Sequence, residues 1–129
     1  MDTPISLSVP ADAEYLHVLR SVTAGVAARL EIGFDDVDDL RIAVTEACSW
    51  LLSLGTGAPS LVLGITPSDE GLTVVVEVDA ELADWPFEGS HETLAWRVIS
   101  GLVDEAHEEL RDRRPTIVLT KRAITADAR

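Results

Sequence analysis

The sequence predicts an α+β domain: a two-layer sandwich with helices on one face of a mixed, mostly antiparallel sheet. Short runs with period-2 apolar alternation mark strands, and longer runs with apolar residues at helical spacing mark helices. Their order is strand, two helices, two strands, helix, then one or two strands. Two successive helices break simple strand–helix–strand alternation, so gathering the helices on one sheet face is the economical packing. With 129 residues the chain can bury one core but not two, and residues 1–129 read as a single domain.

Each element has a local reason. Ile5, Leu7 and Val9 alternate with Ser6 and Ser8, a strand with one wet face that Pro10 ends. From Ala11 to about Glu31, Leu16, Leu19, Thr23, Val26 and Leu30 share a helical stripe, and Gly33 is a candidate stop. A second stripe of Tyr15, Val18 and Val22 widens the apolar surface, for a helix wedged between neighbours or for a partner. The second helix is expected to start at Asp35 or Asp36 as cap, with Val37, Leu40, Val44, Ala47, Cys48 and Leu51 buried. Leu61–Thr66 and Leu72–Asp79 read as paired strands around the turn Pro67–Gly71. An irregular loop, Ala80–Gly89, holds Asp84-Trp85-Pro86-Phe87. Ser90 is a candidate cap for a third helix with Leu94, Ala95, Val98, Ile99, Leu102 and Ala106 apolar. A last strand follows Pro115, with Thr116, Val118 and Thr120 alternating with Ile117 and Leu119, and the tail from Ala123 is expected to fray.

Charge and composition narrow the chemistry. Lys+Arg number 10 against 23 Asp+Glu, a formal net charge of -13, which opposes direct contact with nucleic acid or an anionic membrane and suits a basic protein partner. The short cluster Arg111, Arg113 and Arg114 reads as a solvated turn. The N-terminus resembles no signal peptide and no run is long enough to span a membrane, so a cytoplasmic location is expected. A single cysteine, Cys48, excludes an internal disulfide and falls on a core stripe. His17, His91 and His107 lack a metal-ligand spacing, no phosphate-cradling glycine motif occurs, and no metal site is read. Glu46 lies off the buried stripe of its helix, on the side of Ala43 and Trp50. A carboxylate there is a solvated helix residue or a general base.

At Arg41–Trp50 the segment RIAVTEACSW resembles the anti-sigma-factor serine kinases of the GHKL (Bergerat-fold) ATPase superfamily. The likeness extends along the chain. ISLSVPADAEYLHVL is similar to the family's opening strand and first helix, DVDDLRIAVTEAC to its second, LTVVVEVD to the strand before the adenine-binding Asp, LAWRVISGLVDEA to a later helix, and RPTIVLTKR to the closing strand. The resemblance implies a histidine-kinase-like ATPase fold. Glu46 corresponds to the catalytic base, and Asp79 with Thr116 to the adenine site.

The departures imply a degenerate site. Trp50 stands where the family has the Mg²⁺-binding Asn, and an indole offers no oxygen to a hard cation. Leu54 replaces a His. Ala80-Glu81-Leu82-Ala83 replaces the first glycine box, Thr93-Leu94-Ala95 the second, and Pro115 a glycine before Thr116. Trp50 is also large enough to fill the vacated pocket. The resemblance therefore implies a non-catalytic, pseudokinase-like anti-sigma factor of the actinobacterial type, acting in stress-linked transcription regulation, with no cofactor. Its implied partners are a sigma factor, an anti-anti-sigma antagonist and a second copy at the first-strand edge. In the family an arginine on the first helix contacts these proteins; Arg20 matches it, and Tyr15 is the second candidate contact. The alternatives are an active kinase phosphorylating the antagonist with Mg-ATP, and a small-ligand module using the vestigial pocket.

Overall fold

The computed structural model describes residues 4–123. In chain order the elements are β1 (Ile5–Pro10), a 3-10 turn (Ala13–Tyr15), α1 (Leu16–Ala27), α2 (Phe34–Ser53), β2 (Ser60–Ser68) and β3 (Gly71–Val78). A second 3-10 turn (Ser90–Glu92), α3 (Leu94–Leu102), β4 (Glu105–Arg111) and β5 (Arg114–Arg122) complete the fold. The sheet order is β1-β2-β3-β5-β4, and all four pairings are antiparallel. Helices cover one face, with α2 between α1 and α3. This is the α+β sandwich that the element order predicts.

The core follows from the alternation. Leu61, Leu63 and Ile65 of β2, Leu72, Val74, Val76 and Val78 of β3, and Ile117 and Leu119 of β5 are buried and meet Leu19 of α1, Leu40, Val44, Ala47 and Leu51 of α2, and Ile99 of α3. Tyr15, Val18 and Val22 are half-buried against the same core, so the second stripe serves packing with part of its surface and leaves the rest open. Among the described residues, the other face of the sheet has no helix. There Glu109 is held below the usual carboxyl range by a hydrogen bond from Arg111 and then one with His107.

Several boundaries differ from the sequence expectation. The first helix opens as a 3-10 turn whose Glu14 amide donates to the Asp12 side chain, and α1 ends at Ala27. Gly33 does not stop it; in extended conformation (φ -60°, ψ 152°) it is the N-cap of α2, and Asp35 and Asp36 lie in the first turn. There they favour the helix through its dipole rather than as caps. Pro67 and Ser68 are paired with Leu72 and Gly71, which narrows the turn to Asp69 and Glu70. Ser90 opens the second 3-10 turn, and α3 is capped by Thr93, whose Oγ1 accepts from the Trp96 amide at 3.2 Å.

The largest correction is Ala106, which lies in a strand and not in the third helix. Val103 is extended (φ -126°, ψ 166°), and the chain then pairs with β5 from Glu105↔Thr120 to Arg111↔Arg114. Asp104 fixes the corner: its Oδ2 accepts from the Arg122 amide at 2.7 Å. Lys121, buried to 7% exposure, donates Nζ to the Leu102 carbonyl at 3.0 Å and pairs with Asp36 at 3.3 Å. One cation thus satisfies the end of α3 and holds the start of α2. The expected fray beyond Ala123 falls outside the described residues. Among the described residues no helix is long and apolar enough to cross a membrane.

Cys48 sits in the core of α2, and burial pushes its thiol up to about 12. The thiolate is the reactive form. Cys48 is therefore expected to resist a thiol reagent at neutral pH in the folded protein and to react fully in urea. Modification of the native chain at the unfolded rate would contradict this.

Candidate functional site

Four aromatic side chains occupy the end of α2 under the Ala80–Thr93 segment. Trp50 is the hub. Its ring centroid lies 5.3 Å from Trp85, 6.3 Å from Phe87 and 6.2 Å from Trp96, each edge-on. Such T-shaped pairs put a positive ring edge on a negative ring face and add attraction beyond area burial. Trp50, Trp85 and Trp96 are all buried. The indole N–H of Trp85 donates to the Thr116 carbonyl at 3.3 Å, which ties the loop to β5.

Polar contacts hold this plug at both ends. The Leu82 amide donates to the Arg113 carbonyl at 3.0 Å. Farther along, Ser90 Oγ donates to Glu108 Oε1 at 2.9 Å, and His91 Nε2 lies 2.7 Å from the same oxygen. His91 also stacks flat on Trp96, with centroids 4.4 Å apart. The Glu108 side chain is 1% exposed, and its Oε2 has no partner among the described residues.

The candidate site residues fall as follows. Glu46 is one helical turn before Trp50, half-buried, with no hydrogen bond or ion pair among the described residues. Asp79 follows β3, and its Oδ1 is 2.9 Å from Arg114 Nη2. Thr116 pairs with Glu77 and Glu109 while Ile117 and Leu119 enter the core, so its side chain faces the helix-free side. Its hydroxyl donates to the Arg114 carbonyl at 3.0 Å. Arg20 is exposed on α1 and Tyr15 is half-buried at its start, both away from the aromatic cluster. The arginine turn is solvated, as its spacing suggests, but it also engages Asp79 through Arg114 and Glu81 through Arg113 at 3.9 Å.

A hard cation needs oxygen ligands, and the position expected to supply one holds a packed indole. The Asp79 carboxylate is engaged by a guanidinium instead of being free to accept from a base. Between β3 and the second 3-10 turn the backbone carries Ala80, Glu81, Leu82 and Ala83, each with a Cβ and one with an acid. What sequence reasoning missed was Trp85, Phe87 and Trp96; three tryptophans in so short a chain were the available signal.

The likeness to known proteins is to serine-protein kinases. Over 45 residues the chain is 44% identical to proteins named serine-protein kinase RsbW from Bacillus thuringiensis (strain Al Hakam), Bacillus cereus (strain B4264) and Bacillus anthracis (strain CDC 684 / NRRL 3495). The match covers 35% of this chain and 28% of each relative, so it spans less than a third of the relatives' length. No family model matches the chain.

Proposed function

We propose that this chain is an anti-sigma factor that sequesters a sigma factor by protein–protein contact, with a nucleotide site converted into core. The aromatic hub at Trp50 carries the reading, because it stands where the resembling kinases hold magnesium. The similarity to RsbW kinases and the net charge of -13 agree with a basic, DNA-binding partner. Arg20, exposed on α1, and Tyr15 are the proposed contacts to the sigma factor and to an anti-anti-sigma antagonist that releases it. The β1 edge, unpaired on its outer side among the described residues, is the proposed contact for a homodimer. The proposed setting is the cytoplasm, in a stress response.

The energetics favour binding over catalysis. A charge-assisted contact to phosphate or metal is worth about 1–3 kcal/mol. Millimolar affinity corresponds to only about -4 kcal/mol, so losing the metal ligand and both glycine cradles removes it. Equilibrium dialysis is expected to give no saturable Mg-ATP binding at millimolar concentration, while the purified chain retains a sigma factor. Micromolar Mg-ATP affinity, or transfer of radiolabelled phosphate to the antagonist with Glu46 as base, would replace this reading with the active kinase.

A further inference from the structure

We propose that the groove between α1 and α2 seats a basic amphipathic helix of the partner protein, anchored on Phe34. The partner's identity as a sigma factor rests on the sequestration reading; the chemistry of the groove does not. A cavity of about 460 Å³ opens between the two helices, lined by Ala24 of α1, Ala28 just past its end, Ile32, and Phe34, Val37, Asp38 and Arg41 of α2, the last two paired with each other. Phe34 is 89% exposed, and Ile42, two turns along the same helix, is 44% exposed. A ring so exposed contributes almost nothing to folding, yet it stands beside an apolar trough, the arrangement of an interaction site. Ala24 and Ala28 are four residues apart on one face of α1 and its C-cap, so a third helix can approach closely there. Laying an apolar stripe into such a trough is the helix-in-groove mode of recognition.

Charge decides the occupant. Four aspartates open α2, of which Asp36 pairs with Lys121 and Asp38 with Arg41 at 2.5 Å. Asp35, exposed next to Phe34, makes no ion pair among the described residues and is left to meet a partner's lysine or arginine, whereas Asp39 is half-buried and lies round the helix from the cavity residues. Arg20 stands one turn before Ala24 on the α1 face, where a single partner acid fits. A second copy docked in this groove would set the aspartates of α2 against one another, so a basic helix is favoured there.

The test uses the whole chain and a fluorescein-labelled synthetic helix with leucines at i, i+3, i+4 and i+7 and lysines on its flanks. A scrambled peptide of equal charge and a version with glutamates for lysines are the comparisons. Anisotropy at physiological salt is expected to give at least tenfold tighter binding of the striped basic peptide than of both others. Phe34→Ser is expected to weaken it at least tenfold without moving the unfolding midpoint. Equal binding of the scrambled peptide, or full binding by Phe34→Ser, would overturn the proposal. So would sedimentation in which Phe34→Ser splits a dimer, which assigns the groove to a second copy. A sigma factor held equally by wild type and Phe34→Ser leaves sequestration standing and removes the groove. Phe34-dependent peptide binding in a chain that holds no sigma factor does the reverse.

Discussion

Gly71→Ala is expected to cost about 3 kcal/mol of folding stability, the sum of backbone strain and overpacking. Gly71 opens β3 directly after the Asp69–Glu70 turn with φ +145°, a conformation that side chains rarely adopt. A Cβ built there would lie 2.1 Å from the Lys121 carbonyl oxygen, 2.8 Å from Arg122 Cα and 2.9 Å from the Ala123 nitrogen. All three are backbone atoms, two in β5 and one in the residue after it, so no rotamer change relieves the clash. The strain also reaches Lys121, whose ammonium joins the ends of α2 and α3, and the Ala123 amide bond to the Glu70 carbonyl at 2.8 Å. Urea unfolding followed by circular dichroism measures the loss. Gly64→Ala is the matched comparison, because its Cβ meets nothing within 4 Å and should shift stability by less than about 1 kcal/mol. Equal midpoints for the two variants would refute the close approach.

The same hairpins indicate which parts of the fold were legible in one dimension. β1, β2, β3 and β5 have a buried face, so apolar residues recur every second position and reveal them. β4 has no such pattern. Its sequence EAHEELR is rich in helix formers, and Ala106 and Leu110 fall four apart as on a helix. Pairing with β5 overrides that propensity, and the charges suit an edge strand that must not recruit another chain. The start of α2 was misread for a related reason: Asp35 and Asp36 are good caps, but an extended Gly33 already serves, and the helix begins one residue earlier.

The candidate site was half legible. Trp50 stood out through the resemblance of its helix to a known family, whereas Trp85 and Phe87 lie in a loop with no period to mark their packing. The Arg114–Asp79 pair joins positions far apart in sequence, and only the antiparallel pairing of β3 with β5 brings them together. A contact of that kind is set by register, which no local pattern encodes.

Trp50→Ala is expected to be comparably damaging, at about 3–5 kcal/mol, the range for emptying a buried aromatic site. The loss is more than one ring, because Trp50 is the member of the cluster that touches Trp85, Phe87 and Trp96 alike. Against a typical domain stability of about 5–15 kcal/mol, such a change leaves a marginal fold. Far-UV circular dichroism in urea should register the loss, and Trp50→Phe, which keeps a ring, should recover most of it. Trp50→Asn separates packing from ligation. It returns an amide to the position where the resembling kinases bind magnesium, but leaves Asp79 paired with Arg114 and Cβ atoms along Ala80–Ala83. The expected result is a destabilised chain that still shows no saturable Mg-ATP binding at millimolar concentration. Tight nucleotide binding by Trp50→Asn would mean that one indole is the whole lock and that the remainder of an ATP site survives behind it. Its absence would agree with the proposed reading, in which the arginine, the loop and the aromatic hub together stand in place of such a site.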